Sequence, residues 1–193
     1  SMVYNLQLLR LAGEDGVSAY GVLMYVQFIF ISIYIGYSIG CAPVVSYHYG
    51  AQNHGELKNL LGKSVLLMGI TGVALTALAM ALADPLARLF VGYDAELLAL
   101  TSHAFRVYAL NFFLMGFNVY GSSFFTALGD GVTSALISFL RTLLFQLLAL
   151  IFLPMVLGIE GVWLAVTAAE AGALCVTVRM FITKDKVFHY RKA

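Results

Sequence analysis

The sequence predicts an all-α integral membrane protein with five transmembrane helices. Three observations lead there. The 193 residues are 61% hydrophobic and 11% charged, with a mean hydropathy of +0.90, whereas a soluble domain carries about 25% charged residues. So little charge cannot coat a water-facing surface. Asp15 and Glu56 are separated by residues 16–55, which contain no Asp, Glu, Lys or Arg. Four further apolar stretches follow, each near the roughly 20 residues needed to cross a bilayer core.

The first span is expected over about 17–45. The second occupies about 64–83, bracketed by Lys63 and Asp84 and uncharged between them. Asp84-Pro85 is expected to end it, because proline breaks the hydrogen-bond ladder. The third covers about 97–128, and Gly129-Asp130-Gly131 is a turn signal behind it. The fourth covers about 132–157 and holds one charge, Arg141. The fifth covers about 161–182 and holds Glu170, after a tight connection at Gly158–Gly161. Short turns make the third, fourth and fifth spans antiparallel neighbours.

Charge orients the bundle. Lys58 and Lys63 lie in the first connection, and Arg179, Lys184, Lys186, Arg191 and Lys192 lie at the C-terminal end. The second connection sets Arg88 against Asp84, Asp94 and Glu96. The first connection and the basic tail, 183–193, are therefore expected in the cytoplasm of a multi-pass cell-membrane protein. Residues 1–16 then lie outside, and Met2–Leu11 reads as the outer end of another helix, followed by a loop. That pattern is expected of a fragment, or of a late start within a longer protein. Ser1 ahead of Met2 is left out of the fold argument.

The end of the first span is unusual. Gly36 and Gly40 make a GxxxG step that would admit another helix backbone. Pro43 lacks an amide donor and is expected, with the two glycines, to bend the helix. Beyond it, Glu56–Lys63 reads as a short amphipathic surface helix with Leu57, Leu60 and Leu61 on one face.

Charge inside hydrocarbon costs commonly ~2.5–3.5 kcal/mol on insertion scales, so Arg141 and Glu170 need a reason. Arg141 is nine residues from Val132, and Glu170 nine from Arg179. Both lie roughly 13–14 Å deep at about 1.5 Å per residue. Antiparallel neighbours bring them to one level, and an ion pair is predicted. Glu170 is a candidate for proton or ion coupling, with Arg141 tuning it. The competing reading is a self-neutralising pair that fixes helix register. The latter is favoured, since a carboxylate beside a cation carries protons poorly near pH 7.

Other chemistry is thin. Cys41 and Cys175 form no CxxC pair and read as packed hydrophobes. His48, His54 and His103 have no metal-site spacing. No nucleophile–base arrangement or phosphate loop argues for an enzyme, and no resident cofactor is expected. A net charge of +1 gives no case for nucleic acid.

One pattern carries a resemblance. Gly36-x3-Gly40-x2-Pro43-x3-Tyr47-x2-Gly50-Ala51, followed by Lys58 and Lys63, resembles the multidrug and toxic compound extrusion (MATE) transporters. Ser122–Gly129 with Ser138-Phe139-Leu140-Arg141 is similar to the family's tenth and eleventh helices. Gly161-Val162-Trp163 with Glu170 is similar to its twelfth. The resemblance implies a twelve-helix fold in two six-helix halves, of which this chain would be most of the second, family helices eight to twelve. It also implies export of organic cations and drugs against a proton or sodium gradient. The expected partners are the lipid bilayer, those small cations, and a first half or a second copy of this chain.

Gln27, Asn111, Asn118 and Gln146 are then candidates to line a substrate cavity, although buried amides more often link helices. Tyr34, Tyr37, Met115, Phe124 and Phe125 could offer aromatic and thioether surface to an organic cation. One departure stands out. Some branches of the family couple through a carboxylate in the tenth helix, and Val107–Gly129 contains none. Both ion and coupling site stay open. Two other functions compete: a flippase-like exporter of lipid-linked substrates, and a small non-transporting assembly protein. The row Ala165, Ala169 and Ala173 would suit the latter.

Overall fold

A computed structural model describes residues 2–190 of the protein. Ser1 and the basic residues Arg191 and Lys192 lie outside the described residues. Helix α1 runs Met2–Gly50, α2 His54–Val91, α3 Ala95–Tyr108 and α4 Leu110–Ala127. α5, Gly131–Phe139, leads through a π-helical segment, Leu140–Phe145, into α6, Gln146–Leu157. α7 runs Ile159–Phe188. There is no strand among the described residues. Four helical stretches are long and apolar enough to cross a membrane, and α3 with α4 makes a fifth bent by 42°.

α1 reverses at Gly13, whose φ of 62° and ψ of −151° are non-helical. This is backbone that glycine adopts without a side-chain clash. In one straight helix Tyr4 and Tyr20 would stand about 24 Å apart. Their rings instead stack at 4.6 Å. Residues 2–12 are thus a separate helical piece folded back on the first span, and Gln7 Nε2 donates to the Leu150 carbonyl at 3.1 Å. The backbone from Gly36 through Pro43 stays helical, because Gly13 is the one non-helical residue within α1. The expected helix approach at Gly36 and Gly40 is also absent from this bundle. A Cβ on either would meet nothing within 4 Å.

The second span corrects two expectations. Residues 56–63 are the first turns of α2 and not a separate surface helix, with Leu57 fully buried. Nor does Asp84-Pro85 end the span, for α2 continues to Val91. Ala79, Ala83, Ala87 and Val91 are all buried at four-residue spacing. Burial of that small-residue row within the bundle outweighs the one hydrogen bond Pro85 removes.

The break between α3 and α4 falls where neither glycine nor proline stands. The Phe112 amide donates to the Ala109 carbonyl, three residues back. The Asn111 side-chain amide takes the Tyr108 carbonyl instead. A side chain has replaced a main-chain donor, and the helix turns there. The core between α1, α3, α4 and α7 is aromatic. Trp163, Tyr34, Tyr108, Phe105, Phe112, Phe124 and Phe125 are each under 2% exposed. Ala165, Ala169 and Ala173 form a buried stripe on α7. Gly161 admits α6, since its Cβ would lie 2.4 Å from the Leu153 carbonyl.

Candidate functional site

Glu170 and Arg141 meet. Arg141 Nη1 lies 3.3 Å from Glu170 Oε1, with 16% and 6% of the two side chains exposed. Arg141 sits on the π segment, where one extra residue per turn shifts its helix face. The other carboxylate oxygen, Oε2, accepts from Asn118 Nδ2 at 2.7 Å. The same amide nitrogen lies 2.9 Å from the Glu170 carbonyl. Thr177 Oγ1 donates to Asn118 Oδ1 at 2.9 Å. Four side chains from α4, the π segment and α7 therefore close one polar chain in an apolar bundle. Both Glu170 oxygens and both polar ends of Asn118 are engaged, as a buried charge requires.

Asn111 and Gln27 meet through a second group, at the α3–α4 break. The Tyr108 hydroxyl donates to Gln27 Oε1, and Asn111 donates to the Tyr108 carbonyl. Asn111 Oδ1 is buried with no hydrogen-bond partner. Tyr34 and Tyr37 belong elsewhere. Tyr34 donates to the Phe112 carbonyl at 2.7 Å, its ring lying where a Cβ on Gly116 would stand 2.5 Å away. The Tyr37 hydroxyl lies 2.8 Å from Ser64 Oγ, and Cys41 Sγ is 4.0 Å from that oxygen. Met115 is packed inside the core. Tyr34, Asn111, Met115 and Asn118 are all buried within the helix bundle. Gln146 borders a hollow of about 380 Å³ with Tyr4 and Thr142.

Sequence reasoning missed several of these residues. Thr177 follows Glu170 by seven positions, two helical turns, and that spacing was the available signal. Ser122 reads in the sequence as family pattern and as one of the few polar side chains of the third span. Its hydroxyl lies 2.8 Å from those of both Ser134 and Ser138, tying α4 to α5. At one end of the bundle Asp130 caps α5 through the Thr133 amide and pairs with Lys184 at 2.8 Å. Burial pushes the Asp130 carboxyl up. The Lys184 and Thr133 hydrogen bonds outweigh it and hold the group below the usual carboxylate value. No cluster of three or more His, Cys, Asp or Glu suited to a metal ion occurs among the described residues.

The family model MatE matches residues 1–151. The chain belongs to the MatE family. Among solved structures, this MatE chain is similar to an inward-facing multidrug resistance MATE transporter of the MOP superfamily. The identity is 22% and the TM-score 0.90, over 99% of this chain and 44% of that one. An outward-facing form gives 23% identity and a TM-score of 0.87, over 96% and 42%. A MOP superfamily transporter from Pyrococcus furiosus, described by the reverse polarity of its binding pocket, gives 22% and 0.86, also over 96% and 42%. The MatE chain thus spans less than half the length of these transporters. No curated protein matches it. The fold shared with them is the all-α membrane half.

Proposed function

We propose that this chain works as the second half of a cation-coupled antiporter that exports organic cations and drugs. The carrying observation is that one half-fold superposes on both inward-facing and outward-facing transporters, with TM-scores of 0.90 and 0.87. A half that keeps its packing in both states suits a mechanism in which two rigid halves rock about a shared cavity. The first half is the partner, the bilayer the solvent, and a proton or a sodium ion the driving ion. The turn bearing Lys58 and Lys63 and the basic C-terminal end face the cytoplasm.

In this reading the Arg141–Glu170–Asn118–Thr177 chain braces the half and does not carry the coupling ion. Both carboxylate oxygens are already held by protein partners, which leaves neither oxygen open to a sodium ion. Gly36 and Gly40 are exposed and have room for a close neighbour, which suits the docking of the other half. A flippase-like role for lipid-linked anions is less well supported, since Arg141, the arginine at depth, is neutralised by Glu170.

Efflux of a fluorescent organic cation, from cells producing the complete protein, tests the proposal. Export should stop when the proton and sodium gradients are both collapsed. Absence of export at normal protein level, with either gradient imposed, overturns it. The variant Glu170→Gln should lower the amount of folded protein and leave export per molecule unchanged. Loss of export at normal level would instead return the coupling role to Glu170.

A further inference from the structure

Far from the Lys58–Lys63 turn, the end of α2 and the side of α3 enclose a hollow of about 360 Å³. Its polar lining comes from Asp84, Arg88, Ser102, His103 and Arg106. The carboxylates in and around it are already committed. Asp84 Oδ2 takes Arg106 Nη2 at 2.6 Å, and Glu160 takes His103 Nε2 at 2.7 Å. Asp94 accepts from the Glu96 and Leu97 amides and caps α3. Glu96 is exposed, and it does not line the hollow. Arg88 makes no ion pair with any described residue, and one nitrogen of Arg106 meets Asp84. The hollow thus keeps one uncommitted guanidinium and part of another beside a serine hydroxyl.

The surroundings say where this hollow lies. Leu89 is 77% exposed and Tyr93 83% exposed on the next turns, with Phe90 beside them. Large apolar and aromatic side chains bared next to arginines mark the boundary between hydrocarbon and headgroups. Guanidinium groups match phosphate oxygens in bidentate geometry.

We propose that Arg88 and Arg106 in this hollow bind the phosphate of an anionic phospholipid, with its acyl chains running toward the bilayer centre past the exposed Met80, Leu110 and Phe113. The site is independent of the transport reading, and it would clamp α2 to α3 at this face.

Thermal unfolding of the full protein in micelles, followed by the fluorescence of Trp163, tests the site. Phosphatidylglycerol should raise the midpoint by roughly 5–10 °C at 100-fold over its Kd. Phosphatidylcholine should give less than half of that. Arg88→Ala, an exposed substitution, should lose most of the shift, and Ser102→Leu, which fills the hollow without touching a charge, should lose it too. Lys63→Ala, at the other end of the bundle, should keep it. Retention of the shift by both Arg88→Ala and Ser102→Leu overturns the site. If inorganic phosphate alone produces the whole shift, the lipid source is overturned and the pocket is a free-phosphate site.

Discussion

Arg141→Met makes the sharpest test of what the buried pair does. At 3.3 Å and an effective dielectric constant near 20, the attraction is about 5 kcal/mol. Removing both ions from water offsets much of that gain. Deleting one partner is different, because it leaves the other charge buried with its desolvation uncompensated. Glu170 would keep only Asn118 on its carboxylate. Arg141→Met should therefore destabilise the protein by about 3–5 kcal/mol. Glu170→Gln should cost less, since Arg141 is the more exposed partner and can reach toward water.

The double variant decides between a mutual pair and two unrelated buried groups. With both charges gone it should be within about 1–2 kcal/mol of the parent, so the single effects should not add. Trp163 is the single tryptophan and is fully buried on α7. Its fluorescence during detergent unfolding in micelles reads the packing around the pair. An Arg141→Met protein within about 0.5 kcal/mol of the parent would refute the reasoning, as would a double variant whose loss equals the sum of the singles.

Three other perturbations probe the same architecture. Gly121→Ala places a Cβ 2.5 Å from Thr177 Cγ2 and 3.3 Å from Phe181. It should cost about 1–3 kcal/mol in the same unfolding assay, and Thr177→Ser, which removes the methyl and keeps the hydroxyl, should recover most of it. The Asp130 carboxyl titrates below its unfolded value, so the unfolded chain binds the proton first. Its contribution is complete above the unfolded value near pH 4 and is lost as pH falls through the lower folded value. Asp130→Asn should accordingly lower stability by about 0.5–1 kcal/mol at pH 7 and flatten the acid limb of a stability profile. Gly36→Ile with Gly40→Ile should leave unfolding of this chain unchanged, since both positions are open, yet reduce co-purification with the first half.

The legible part of the fold came from solvent. Uncharged stretches bounded by charge or by glycine turns marked the spans, because hydrocarbon excludes unpaired charge. Residue spacing on two antiparallel helices then placed Arg141 opposite Glu170. Backbone detail was far less legible. Pro85 reads as a stop in isolation, and the buried Ala79, Ala83 and Ala87 row that carries the helix past it is a tertiary effect. The GxxxG step stands out in sequence because glycine is a poor helix former, whereas an alanine row looks like any good helix former. The turn at Ala109 depends on one asparagine taking one carbonyl, and no local composition announces that. The same holds for the π turn at Leu140–Phe145, although Thr142 Oγ1 bonding to the Ser138 carbonyl shows a side chain competing for the ladder there as well.

These two irregularities fall where the polar residues are. The α3–α4 break holds Asn111, Tyr108 and Gln27, and the π turn holds Arg141. Regular helices in a membrane satisfy their own backbone, so a side chain that finds a carbonyl there, as Asn118 does at Glu170, shares an acceptor already in use. A break releases carbonyls and re-aims side chains, which lets a buried amide or guanidinium find its partner. At these two points the helix defect and the buried polar group are one feature, while Asn118, Glu170 and Thr177 pair from regular helix. Straightening either defect would strand Asn111 or Arg141 in apolar surroundings, so the bends are held by the polar groups they serve.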